Sequence, residues 1–186
     1  MNAAPAWPAD DAELCALLAA ASDRDLHAFM CDCAEHALAV CKPIHRAAGY
    51  SLFPPAEPLE VKRRWLRGEA SDEELSGAQS GAVFYCYWGS ILELGAAVLG
   101  AAWHPGGGLC LAEDEEYAES MTWHETAREA AADVMDQCVQ AVVEVHVHLT
   151  WKKDEPRPAQ EAAVRSREAE QAWQRDRARA VLRPRP

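Results

Sequence analysis

A chain of 186 residues with 49% hydrophobic residues is long enough to build one globular domain around a sizeable core. Its formal net charge of −12 leaves no general positive face of the kind that nucleic acid or an anionic membrane surface requires, so neither is expected as a partner. Alanine dominates the apolar residues and β-branched types are sparse, which favours helix throughout.

The opening run MNAAPAWPADDAELCALLAAA has no basic segment ahead of its short apolar stretch, so no secretory signal is expected. Seven cysteines then fit free thiols in a reducing cytoplasm better than a disulfide framework. A short helix is predicted over 10–21. Ser22 or Asp23 caps a longer one through about Ile44, in which Leu26, Met30, Cys33, Ala37, Cys41 and Ile44 form one buried stripe.

Within that helix, FMCDCAEHAL (29–38) concentrates residues with possible site chemistry. Cys31 and Cys33 point to nearly opposite sides of a helix and cannot chelate one ion. Cys33 and Cys41 fall in the apolar stripe, where cysteine behaves as a small hydrophobe. Asp32 and Glu35 fall on the opposite face, expected to be solvated. His36 lies one turn from Cys33, so Cys33 and His36 are the candidates for a metal or thiol site completed from other helices. The simpler expectation is a packed helix with a boundary histidine.

Three prolines make 49–58 a loop, and LEVKRRWLRG (59–68) reads as a short helix stopped by Gly68. Ser71 and Glu74 form a capping box opening a long apolar helix over about 72–103. Its segment AVFYCYWGSILELGAAVLGAAW (82–103) is long enough to span a bilayer. However, Glu93 near its middle costs about 2.5–3.5 kcal/mol on insertion, and no basic cluster flanks it. A buried core helix, central to the fold and ended by HPGGG (104–108), is expected instead.

The next helix is predicted from about Thr122 to Trp151. Its HVH (146–148) places two histidines on diverging sides, and WHET (123–126) lacks the second zinc-binding histidine, because position 128 is Arg. No glycine-rich phosphate loop or nucleophile elbow is present, and no cofactor is expected. Opposite an apolar side of Ala127, Ala131, Val134, Cys138, Val142, Val145 and Leu149, this helix carries Glu125, Glu129, Asp133, Asp136, Gln140 and Glu144 within an arc of about 100°. Its five carboxylates, Glu125, Glu129, Asp133, Asp136 and Glu144, are the candidate partner-binding residues, because complementary potential speeds association and sets specificity. A solvated face kept acidic for solubility is the simpler account. Trp65, Trp123, Trp151 and Trp173 could anchor such a contact, or could dock their own helices.

Residues 152–158, KKDEPRP, read as a charged linker before a last helix over about 159–183. Residues 1–151 carry 8 basic and 24 acidic side chains, and residues 152–186 carry 10 and 6. The expected organisation is an acidic helical bundle (1–151), a linker (152–158) and a mixed-charge terminal helix (159–186) docked on the same domain. The fold class is all-α, a bundle of five or six helices.

At DCAEHAL (32–38), RRWLRGEAS (63–71) and EQAWQRDRARAVL (170–182), the chain resembles the helical immunity proteins encoded beside bacterial polymorphic toxins. The order of motifs matches across about 29–183. Phe84, Tyr85, Tyr87 and Trp88 depart from the alanine- and histidine-rich run of that family. The resemblance implies an all-α fold and neutralisation of a cognate toxin, and carries over no residue role. A cytoplasmic immunity protein is therefore expected, not an enzyme, with the acidic stripe suited to a basic toxin such as a nuclease. The alternatives are a metal- or thiol-dependent helical enzyme and a structural accessory subunit.

Overall fold

Asp11 accepts a hydrogen bond from the Leu14 amide at 2.9 Å, which caps α1 (Ala12–Ala20). The computed structural model describes residues 10–47, 56–79, 92–103, 126–150 and 156–182. Every regular element among them is a helix.

Ser22 caps α2 (Asp23–Ala47): its Oγ accepts from the Asp25 amide at 3.2 Å and donates to Asp25 Oδ2 at 2.7 Å. The helix runs one turn past Ile44 and contains Pro43, which stands on the exposed side. Its predicted stripe is buried from Leu26 to Cys41, and Ile44 packs partly buried at the edge.

α3 (Glu57–Leu66) ends as its glycine predicts. Gly68 adopts φ +77°, its amide donates to the Trp65 carbonyl at 2.9 Å, and the Glu69 amide donates to the Arg64 carbonyl at 2.9 Å. These paired bonds satisfy the last carbonyls of the helix, and the left-handed conformation suits glycine. Ser71 and Glu74 then form the predicted capping box, with reciprocal bonds of 3.0 and 3.1 Å, at the start of α4 (72–79).

The single apolar helix expected over 72–103 does not exist as such. The Gln79 amide donates to the Ala102 carbonyl at 2.7 Å, whereas a straight helix would separate those residues by about 35 Å. α4 and α5 (Leu92–Ala102) are thus distinct helices, and residues 80–91 lie outside the described set.

The next helix, α6 (Ala127–Thr150), begins later than predicted, because Thr126 and Glu129 form a capping box with bonds of 3.1 and 3.2 Å. α7 (Pro156–Val181) also departs from its predicted start. Prolines 156 and 158, assigned to the linker, lie in the first helical turn, where their missing amide hydrogens cost nothing.

α6 packs against α2, α5 and α7, while α3 lies across α2 and α5, and α1 rests on α7. The apolar contacts include Phe29 and Met30 from α2, Leu94 and Val98 from α5, and Val134, Met135 and Val139 from α6. No described helix is long and apolar enough to cross a membrane.

Candidate functional site

The three sequence segments that carry the family resemblance meet in space, at a junction of α2, α3 and α7. Arg63 on α3 donates to Glu35 at 2.9 and 3.1 Å, to the Ala28 carbonyl at 3.2 Å, and to Asp32. Arg177 on α7 reaches the other oxygen of Asp32 at 2.8 Å. Asp32 is therefore not on a solvated face: its side chain is only 11% exposed, clamped between two guanidinium groups. The local helical pattern placed it outward correctly; α3 and α7 then cover it.

One turn further along α2, His36 bridges to the same terminal helix. Its Nε2 lies 3.2 Å from Glu170 Oε2, and its ring stacks on Trp173 with centroids 3.8 Å apart and planes 4° from parallel. Glu170 is buried, and its second oxygen accepts from Gln174 Nε2 at 3.1 Å. Gln174, also buried, donates to the Met135 carbonyl of α6 at 3.0 Å. The junction thus satisfies its buried polar groups within itself.

The thiols beside it are packed and protonated. Burial pushes Cys31 and Cys41 up to about 12, and Cys33 and Cys138 well above the ordinary thiol range. His36 turns to Glu170 rather than to Cys33, and among the described residues no group of three or more His, Cys, Asp or Glu is placed to hold a metal. Chemistry built on Cys33 and His36 has no further ligand within the described helices.

A second polar cluster closes the end of α5. Lys62, fully buried, donates to the Trp103 carbonyl, and its ammonium sits 4.1 Å from the centroid of Trp65. Burial holds this lysine down at about 8. His27 is flanked by the edge of Trp65 and the tilted ring of Trp103. Trp65 is thus a docking residue for its own short helix, and its indole N–H donates to Asp72 at 2.7 Å. Nearby, Arg24, Asp25, Ala28, Arg63, Leu66 and Arg67 line a small open groove of about 280 Å³.

The predicted acidic stripe divides. Glu125 lies outside the described residues. Glu129 is exposed and serves the capping box, and Asp133 is partly exposed. Asp136 is half-buried, and burial raises its carboxyl above the usual range despite Arg167 of α7 nearby. Glu144 faces α5, where a hydrogen bond with Glu93, together with burial, pushes its carboxyl up to about 7. Two carboxyl groups sharing a hydrogen bond must hold a proton between them. The Thr126–Glu129 box and the Glu93–Glu144 pair escaped sequence reasoning. The first was legible as T-x-x-E; the second had no local signal, since its members are 51 positions apart.

The basic tail also finds its partner at home. Arg175 pairs with Asp11 at 3.5 Å and Arg179 with Glu13 at 2.6 Å, alongside the Arg177–Asp32 contact. No protein-family model, curated protein or solved structure was found to match the chain.

Proposed function

We propose that this chain is a protein-binding module, most concretely a cytoplasmic immunity protein that occludes a basic toxin. The observation that supports this most is the internal use of the tail's cations. Because Arg175, Arg177 and Arg179 face the body's own carboxylates, these three offer less positive charge to a partner, on a chain whose net charge is −12. A surface of one sign steers and orients a partner of the other. Within the predicted stripe, Glu129 in the N-terminal half of α6 is exposed and Asp133 is partly exposed, which leaves them accessible to a partner.

The resemblance to immunity proteins gains meaning from the convergence of its three segments on one junction. They act there by fixing α2, α3 and α7 as a rigid platform, leaving recognition to the surface around them.

The test is purification of the tagged chain from its native host at moderate salt, with stoichiometric partners identified. The expected partner is basic, toxic when expressed alone and harmless on co-expression. Absence of a stoichiometric partner, or one whose toxicity co-expression leaves intact, overturns the reading.

A further inference from the structure

The terminal helix is held to the body by a different chemistry from the other long helices. Its buried side from Ala162 onward reads Ala162, Ser166, Glu170, Gln174, Ala178 and Leu182, each four residues after the last. Three of those six are polar and two are alanine. Among the described residues, α7 supplies only Ala178 and Leu182 to the contiguous buried core, with Trp173 and Val181 packed partly buried against it. α2 contributes Phe29 and Met30 to that core, and α6 contributes Val134, Met135 and Val139. A helix with little apolar area to lose opens at lower cost than its neighbours. Ser166, Glu170 and Gln174 also regain water on leaving, which offsets the bonds they give up.

Charge does much of the holding instead. Arg175 and Arg179, one turn apart, reach Asp11 and Glu13 of α1, and Arg177 reaches Asp32 of α2. Arg167 donates to Gln140 of α6 at 3.3 Å, with Asp136 close by. The body thus sets carboxylates from α1, α2 and α6 against a line of arginines. Arg177 and Arg179 keep 42% and 41% of their side-chain surface exposed, so each pair is weak alone and screened by salt. The platform at the α2–α3–α7 junction is rigid only while these charges are paired.

We propose that α7 stands in for a basic helix of the partner, which binds by displacing α7 from the acidic face of α1, α2 and α6. The inference rests on the reading of the partner as basic, and it names a surface that partner engages. Charge complementarity selects the occupant. When α7 leaves, Asp32 keeps Arg63, whereas Asp11 and Glu13 lose the arginines paired with them. A displacing helix must therefore carry basic residues one turn apart, with small side chains where Ala162 and Ala178 now fit.

Native-state hydrogen exchange of the full chain tests the first half of this. α7 is expected to open before α2, α5 and α6, and more often in high salt than in low. Arg175→Gln, Arg177→Gln and Arg179→Gln together are expected to speed exchange in α7 by about tenfold, leaving the centres of α2 and α6 unchanged. The second half uses a labelled synthetic peptide of residues 156–182 as the probe for the uncovered face. It is expected to bind the triple variant about tenfold more tightly than the parent, because the competing helix is more often away. The same peptide carrying Arg175→Glu and Arg179→Glu is expected not to bind. If the triple variant does not fold, the parent chain in high salt, against the parent in low salt, decides through α7 exchange. Exchange of α7 only together with α2 and α6, a loosened α7 without peptide binding, or equal binding of the charge-reversed peptide overturns the proposal. None of these measurements uses the partner, so displacement can fail with toxin neutralisation intact, and neutralisation can fail with displacement intact.

Discussion

Gly100 on α5 meets Val134 on α6 with no space for a side chain between them: a Cβ added at Gly100 would lie 2.8 Å from Val134 Cγ2. Valine is β-branched and has little rotamer freedom on a helix, so the helices themselves must part. Gly100→Ala is expected to cost about 1–3 kcal/mol. Adding Val134→Ala should recover part of that loss, and a double-mutant cycle by denaturant unfolding measures the coupling. Additive effects would show that the two helices do not approach this closely.

Two other glycines should respond in opposite directions to the same change. Gly68 has φ +77°, a conformation that penalises any Cβ even though nothing lies within 4 Å of it. Gly68→Ala is expected to destabilise by about 1 kcal/mol. Gly77, inside α4 with open space around it, is expected to gain about 0.4–1 kcal/mol on mutation to alanine. Thermal unfolding of both variants checks the pair.

The Glu93–Glu144 contact predicts a specific pH dependence. Glu144 binds its proton more tightly in the native state, at about 7, than at its ordinary 4.5. Its stabilising contribution is therefore complete below about pH 4.5 and is lost as pH rises through about 7. Glu144→Gln keeps the shape and removes the titration. The difference in melting temperature between variant and parent should move in the variant's favour from pH 5 to pH 8; a constant difference would remove this pair from the account.

On α6, the proposed partner binding and the helix capping are separable. Glu129→Gln preserves a capping box, which accepts either residue, while deleting the charge. Combined with Asp133→Asn it should weaken binding of a basic partner and flatten the salt dependence of affinity, with little change in unfolding midpoint. Affinity unchanged at low salt would place recognition elsewhere on the surface.

Cys31, Cys33, Cys41 and Cys138 are buried and held as thiols, so an aromatic disulfide reagent at pH 8 should modify none of them in the folded protein. Denaturant should expose all four. Peptide mapping of the labelled sites distinguishes them from the remaining cysteines, and rapid native labelling at Cys33 would revive a thiol-based activity.

Local features of this fold were readable because they are encoded locally. The stripe of α2, the Gly68 stop and the Ser71–Glu74 box each depend on residues within a few turns. Asp32 shows where that logic ends. Its side of α2 is polar as the spacing implies, yet Arg63 and Arg177, 31 and 145 positions away, decide that it is clamped rather than solvated. The apolar run 72–103 misled for a related reason: uniform hydrophobicity reports burial, and says nothing of where a chain turns back. Total charge was equally silent about pairing: an excess of basic residues after 151 does not say that Arg175, Arg179 and Arg177 lie on Asp11, Glu13 and Asp32.

The end of α5 implies an order of assembly. Its final carbonyls, on Ala101, Ala102 and Trp103, receive Cys31 from α2, Gln79 from α4 and Lys62 from α3, across 70, 23 and 41 positions of chain. None of these donors is available to an isolated α5, and a helix end whose carbonyls lack partners frays. Contacts of such separation form only after the intervening chain has lost its freedom. The last turn of α5, among the most deeply buried parts of the native protein, is therefore expected to gain amide protection late in refolding, once three other helices have gathered around it.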